Sequence, residues 1–153
     1  MGKSLELSAE QMNEYERAAR FGSLVSVIYR MSSAYIGGQL KDYHIGAGQH
    51  ACLLVIAESP GVSQDELARI LSMDKAHIAR AVARLEAEGY ITRKESSKDA
   101  RKKSLAATPA GLALVPKIGA ILQKWNESIF QGIPDSDIHK VNSVLRKIVD
   151  NIG

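Results

Sequence analysis

Residues 63–108 read SQDELARILSMDKAHIARAVARLEAEGYITRKESSKDARKKSLAAT, and this stretch decides the fold. Ser63 and Glu66 stand three residues apart, so each side chain can satisfy the other's backbone amide and begin a helix over 64–71. Ser72, Met73 and Asp74 then favour a tight turn, and a second helix is predicted over 75–88, where Gly89 ends it. The pattern predicts two short helices joined by a turn.

The rest of this stretch predicts a β-hairpin. Residues 90–93 have strand chemistry, residues 95–103 form a charged loop, and residues 104–107 can return as a second strand. A helix-turn-helix followed by such a hairpin places its second helix at the surface, where it can enter a DNA major groove. With Ile78, Val82 and Leu85 facing the core, the side chains expected to point outward are Lys75, His77, Arg80 and Arg84.

Helical patterns flank this centre on both sides. They predict a long helix over 9–36 that ends at Gly37-Gly38, a second over 47–58, a third that starts at Thr108-Pro109, and a last one over 135–150. Pro116 is expected to kink or split the third. The first helix is too long for one chain of 153 residues to cover, which indicates a second subunit.

Composition excludes several classes of protein. Apolar residues make up 45% of the 153 positions, which is enough for one domain with a sizeable core. Cys52 is the only cysteine, so one chain can form neither an internal disulfide nor a multi-cysteine zinc site. No apolar run reaches membrane-spanning length, and no phosphate loop or nucleophile motif indicates an enzyme. We expect a cytoplasmic, non-enzymatic protein that needs no metal or other cofactor.

The positive charge is concentrated in one segment. Residues 75–103 contain nine basic and four acidic residues, whereas the residues outside 60–108 contain ten of each. A basic surface suits phosphate binding, because neutralising phosphates releases condensed counterions. The alternatives are a charge run that only keeps the protein in solution, or a winged-helix module that binds protein or RNA without sequence-specific DNA binding.

Several short motifs resemble the winged-helix signature of multiple-antibiotic-resistance regulators, the MarR family. They are Leu67-Ala68, Arg80, residues 85–93 (LEAEGYITR), Asp99-Ala100-Arg101 and residues 108–111 (TPAG). The resemblance covers nearly the whole chain. Ala107 departs from it, since the family usually has leucine there.

The resemblance implies a mainly α fold with a small β-hairpin wing (α+β), that is, a winged helix-turn-helix flanked by N- and C-terminal dimerisation helices. It implies one domain over 1–153, with DNA binding in 60–108 and dimerisation in 5–40 and 109–153. It also implies a homodimer that binds a pseudo-palindromic operator as a repressor or an activator, and we expect a repressor. Arg101 becomes the wing arginine in the minor groove, oriented by Asp99. The expected DNA contacts are Ser63, Gln64, Lys75, His77, Arg80, Arg84, Lys98, Asp99, Arg101 and Lys102.

Release by a small aromatic or anionic effector is a further implication of the resemblance. The family's pocket lies between the dimerisation helices and the winged helix. Residues in the corresponding stretches are Tyr29, Tyr35, His44, His50 and Trp125, although tyrosines at helical spacing are more often core residues. Cys52 lies in an apolar helix, where burial raises a thiol pKa, so a redox role is not expected.

Overall fold

The computed structural model describes residues 9–95 and 103–152. In these residues the chain forms helices α1 (Ala9–Gln39), α2 (Ala47–Glu58), α3 (Gln64–Ile70), α4 (Lys75–Ala87), α5 (Pro109–Ile129) and α6 (Asp135–Ile152). The strands are β1 (Val62–Ser63), β2 (Ile91–Glu95) and β3 (Lys103–Ala107), and a 3-10 turn covers Lys41–Tyr43. The predicted fold class, mainly helical with a small wing, is confirmed.

The sheet is antiparallel, with strand order β1-β3-β2. The predicted hairpin is present, with Ile91 paired with Ala107. Glu95 pairs with Lys103, so both strands extend into the ends of the segment predicted as a loop over 95–103. The two-residue strand β1 was not predicted, because two residues carry no detectable alternation. It pairs Val62 with Leu105 and so holds the start of α3 against the wing.

The core lies where α2, α4 and the sheet meet. Ile78, Val82 and Leu85 are fully buried on α4, which confirms the predicted inner face of that helix. On α2 the buried residues are Cys52, Leu53 and Ile56. The helical pattern of the sequence predicts that Ala51, Leu54 and Val55 face inward beside Cys52, but these three are only partly buried. On α3, Leu67 is buried, whereas Ile70 is 53% exposed.

Local capping explains where the central helices begin. The Ser63 backbone amide donates to Glu66 Oε2 at 2.8 Å and the Glu66 amide donates to Ser63 Oγ at 3.3 Å, which is the predicted capping box of α3. Thr108 caps α5, accepting from the Gly111 amide at 3.1 Å. Its hydroxyl also donates to the Gly89 carbonyl at 2.7 Å, which joins α5 to the end of α4.

Helix α1 ends one residue beyond Gly37-Gly38, and of the two outcomes expected at Pro116, a kink or a split, the split does not occur. The first helix continues through Gly37-Gly38 to Gln39, because Ile36 and Leu40 at its end are anchored in the core. Helix α5 is not split at Pro116. The carbonyl that loses its partner there belongs to Leu112, which is 52% exposed, so water can satisfy it.

Within the described part of the chain, no helix is both long and apolar enough to cross a membrane.

Candidate nucleic-acid interface

The turn between α3 and α4 is fixed by a helix cap. The His77 amide donates to Asp74 Oδ1 at 2.7 Å, which satisfies a free amide in the first turn of α4. This hydrogen bond, with the charges of His77 and Arg80, lowers the pKa of the Asp74 carboxyl. Ser72 takes a left-handed conformation with φ of 50°, which lets the chain reverse in so few residues. The start of α4 is therefore held in one orientation relative to α3.

The outer face of α4 consists mostly of alanine. Because Ile78, Ala81, Val82 and Leu85 are buried, the exposed positions form a stripe on the opposite side. Along the middle of that side lie Ala76, Ala79, Arg80 and Ala83, with the exposed Lys75, Arg84, Glu86 and Ala87 beside them or beyond them. We call Ala76, Ala79, Arg80 and Ala83 the reading face. Its small side chains permit a close approach to another surface, and Arg80 supplies five hydrogen-bond donors.

The basic residues beside the reading face differ in their partners. Lys75 forms an exposed ion pair with Asp65 of α3, at 2.8 Å between Nζ and Oδ1. Arg84 donates from Nε to the His44 carbonyl at 3.0 Å, and its Nη2 lies 3.1 Å from the Glu88 carboxylate. Arg80, in contrast, is exposed and has no ion pair with any residue of 9–95 or 103–152.

The two residues predicted at the start of α3 are constrained by the fold. Ser63 is part of the capping box, and its hydroxyl donates to Glu66 Oε2 at 2.8 Å. Gln64 is half-buried, and its Nε2 has no hydrogen-bond partner among the described residues. Lys98, Asp99, Arg101 and Lys102, the predicted wing contacts, lie outside the described residues.

An ion pair joins the wing to α4. Arg93 Nε of β2 lies 2.8 Å from Glu86 Oε2. Helix α4 and the base of the wing are therefore connected by side chains as well as by the core. No signal in the sequence identifies this pair, because it depends on how the strand crosses the helix.

A cavity of about 730 Å³ lies between α1, α2, α5 and the start of α4. Its wall includes Tyr29, Ser32, Ser33, Ile36, Ala47, Gly48, His50, Ala51, Ser72, Met73, Asp74, His77, Leu122, Trp125 and Asn126. Three of the five predicted effector residues, Tyr29, His50 and Trp125, thus line one cavity. Tyr35 stacks on Trp125 with ring centroids 5.0 Å apart, and His44 instead ends the 3-10 turn.

His77 lies in this cavity wall, although it was predicted as a DNA contact. Its ring lies against Gly48 of α2, where an added Cβ would be 2.9 Å from Nε2. His50 is also in the wall, and burial lowers its pKa. The sequence offers no signal for the contact between His77 and Gly48, because it depends on how α2 and α4 are placed.

The cavity offers aromatic and imidazole groups but no metal centre. No group of three histidine, cysteine or carboxylate side chains suited to a metal ion occurs in the part of the chain that the structure describes.

Cys52 is fully buried, and burial raises the pKa of its thiol to about 11, which keeps it protonated and unreactive at neutral pH.

The fold and this surface define a winged-helix protein of the DNA-binding type, and comparison with known proteins gives its family. The MarR family model matches residues 45–102. A MarR transcriptional regulator from Methanosarcina mazei Go1 is 31% identical, with a TM-score of 0.80 over 87% of this chain and 96% of that one. The chain belongs to the MarR family of transcriptional regulators, which are not enzymes.

Two further solved structures carry ligands. A protein described as a MarR-family regulator from Listeria monocytogenes, complexed with a 26-mer DNA, is 28% identical. Its TM-score is 0.79 over 84% of this chain and 85% of that one. The regulator CouR from Rhodococcus jostii RHA1, bound to p-coumaroyl-CoA, is 26% identical, with a TM-score of 0.74 over 84% of this chain and 90% of that one.

Proposed function

We propose that this regulator binds double-stranded DNA sequence-specifically, as a homodimer on a pseudo-palindromic operator, and acts as a repressor. The observation that carries the proposal is the reading face of α4, an exposed surface of small side chains around Arg80, which has no ion pair with the residues that the structure describes. An arginine can donate two hydrogen bonds to guanine O6 and N7, and this is a sequence-specific contact. The relative that was crystallised with DNA supports the same use of the fold.

The dimer is supported by apolar surface that one chain leaves uncovered. No residue of α6 is buried, yet this helix has an apolar side that includes Val141, Leu145 and Val149. On α1, Leu24 is 63% exposed and Ile28 is also exposed. Surface of this extent on two terminal helices indicates a protein partner, and a second copy of the chain supplies the same two helices.

Effector control is supported by the cavity beside α4. Tyr29, His50 and Trp125 offer aromatic surface and hydrogen bonds, which suits an aromatic ligand with an anionic or hydrogen-bonding group. Asp74 and His77 belong to the first turn of α4 and also to the wall of the cavity. A ligand that fills the cavity would contact the same turn that orients the reading face. We propose that such a ligand displaces α4 and releases DNA.

Selection from a random pool of duplexes of about 30 base pairs tests the DNA proposal, since that length holds two half-sites one helical turn apart. The native protein and Arg80→Ala are selected in parallel at near-physiological salt. We expect a two-fold-symmetric consensus for the native protein and a relaxed one for the variant. No enrichment, with binding that disappears as salt rises, would favour the protein- or RNA-binding alternative.

A titration of aromatic carboxylates against the protein–operator complex tests effector control. We expect at least one of them to lower DNA affinity in the native protein and to have a weaker effect on Trp125→Ala.

Repression itself is tested with the selected operator placed across a reporter promoter. Higher expression in the presence of the protein would indicate activation instead.

A further inference from the structure

Most of the polar side chains of α4 that could read bases have other partners within the chain. Lys75 is paired with Asp65, and Arg84 is bound by the His44 carbonyl and the Glu88 carboxylate. The His77 ring lies against Gly48 in the cavity wall, on the side of α4 that faces α2. Arg80 is the remaining cation of this helix, and it has no ion pair with the described residues.

The rest of the reading face presents only methyl groups. Ala76, Ala79 and Ala83 follow one another at spacings of three and four residues, so they form one line along the helix on either side of Arg80. Alanine has no side-chain donor or acceptor. The base feature in the major groove that it can favour is the thymine 5-methyl group, by apolar contact.

From this arrangement we infer the chemistry of the operator: each half-site contains one guanine read by Arg80, flanked by A·T pairs whose thymine methyl groups contact Ala76, Ala79 and Ala83. The inference rests on the proposed function, because it requires α4 to lie in the major groove. To that function the inference adds which bases α4 contacts and by which interactions. A reading face with one arginine and three alanines contacts one G·C pair by hydrogen bonds and the neighbouring pairs by methyl contact.

Lys75 is the other basic residue of α4 that we expect to contact DNA. Its ion pair with Asp65 is largely exposed, with 79% of the lysine side chain and 66% of the aspartate side chain accessible. Because an exposed ion pair contributes little free energy, Lys75 can leave Asp65 and contact DNA instead. At the first residue of α4, Lys75 is placed for a phosphate contact. Lys75→Ala should therefore lower affinity and leave the consensus unchanged.

Synthetic duplexes with altered bases test the inference directly. Starting from the selected consensus, 7-deazaguanine replaces the half-site guanine and removes the N7 acceptor, and deoxyuridine replaces each flanking thymine and removes its methyl group. For the native protein, we expect the first change to lower affinity by roughly 5-fold or more, and by less than the roughly 150-fold upper value for a complete bidentate pair, because the O6 acceptor remains. Each contacted methyl group should contribute about fourfold or less.

Two variants separate base reading from general charge. In Arg80→Ala the 7-deazaguanine effect should disappear, while the deoxyuridine effect remains. Arg69→Ala, which removes the same charge from the exposed end of α3, is the matched control. It should bind the normal and the 7-deazaguanine duplexes with the same ratio of affinities as the native protein.

The outcomes separate this inference from the function on which it rests. A symmetric consensus that contains no guanine dependent on Arg80, or that tolerates deoxyuridine without loss, overturns the inference and leaves the DNA-binding proposal in place. A consensus that changes in Lys75→Ala also overturns it, because a second residue then reads bases. Absence of any enriched sequence overturns both.

Discussion

Arg84 joins the C-terminal half of α4 to the segment before α2. Its Nε–H is 3.0 Å from the His44 carbonyl, and its Nη2 is 3.1 Å from Glu88. His44 has a left-handed backbone with φ of 57°, and its amide donates to the Lys41 carbonyl at 3.0 Å, which closes the 3-10 turn. At the scale of one residue, this arginine connects segments that are forty positions apart in the sequence.

We expect Arg84→Ala to lower the free energy of unfolding by about 1 kcal/mol, because it removes a charged hydrogen bond that is partly screened by solvent. Arg80→Ala, the same substitution on the same helix, should stay within about 0.5 kcal/mol of the native protein. Urea unfolding of both variants measures the difference. Unchanged stability together with an altered DNA consensus in Arg84→Ala would make Arg84 a reading residue.

His50 gives the stability of the protein a pH dependence. Burial lowers its pKa below 6.5, so near pH 6.5 the unfolded chain takes up a proton that the folded chain does not. The free energy of unfolding should therefore fall as pH decreases through 6.5, and this contribution should level off below the lowered pKa. Thermal unfolding of the native protein and His50→Gln between pH 8 and pH 5 measures it. Identical pH slopes in the two proteins would contradict this reasoning.

At the scale of elements, α5 crosses the end of the wing very closely. A Cβ on Gly111 would lie 2.1 Å from the Tyr90 carbonyl oxygen and 3.3 Å from Leu53 Cδ1. The same carbonyl accepts from the Thr108 amide at 2.9 Å, so it cannot move away without losing that bond. Glycine is required at this position because of the close approach of two backbones.

Gly111→Ala should therefore destabilise the protein by about 1–3 kcal/mol or more, as overpacking does. The matched control is Gly119→Ala in the same helix, where an added Cβ meets no atom within 4 Å among the described residues. That change should stabilise the helix by roughly 0.5–1 kcal/mol, since alanine is the better helix former. Opposite shifts in the denaturation midpoint confirm the argument, and equal shifts contradict it.

The elements also show which features the sequence predicts and which it does not. The starts of α3 and α5 were predicted because their caps, Ser63 and Thr108, act within three residues of chain. The continuation of α1 past Gly37-Gly38 was not predicted, since burial of Leu40 outweighs the local cost of glycine. Likewise, the alanine face of α4 follows from periodicity, but the partners of His77 and Arg84 depend on tertiary placement.

At the scale of the whole molecule, α6 is a long helix of which no residue is buried within one chain. Val149 is 60% exposed and Leu145 is also exposed, although both lie on the apolar side of a strongly amphipathic helix. If a second copy covers this side, a buried charge there should prevent association. Sedimentation of Leu145→Asp should show monomer at concentrations where the native protein is dimeric, together with loss of tight binding to the symmetric operator.

Ser143→Asp is the matched control for that experiment, because it adds the same charge two positions away on the opposite side of α6. It should remain dimeric and bind the operator as the native protein does. Dissociation of both variants to the same extent would mean that charge on α6, and not loss of apolar contact, controls assembly.

The short strand β1 has a consequence for the order in which the chain folds. This strand pairs Val62 with Leu105, and the Gly61 amide just before it donates to the Leu105 carbonyl at 2.8 Å. These contacts join residues more than forty positions apart. Closing so long a loop costs chain entropy that only the finished sheet repays. During synthesis α4 is complete once Ala87 has emerged. Strand β1, which anchors α3, has no partner to pair with until β3 has emerged as well. A nascent chain that ends between these points would hold both helices of the motif without the anchor that orients them.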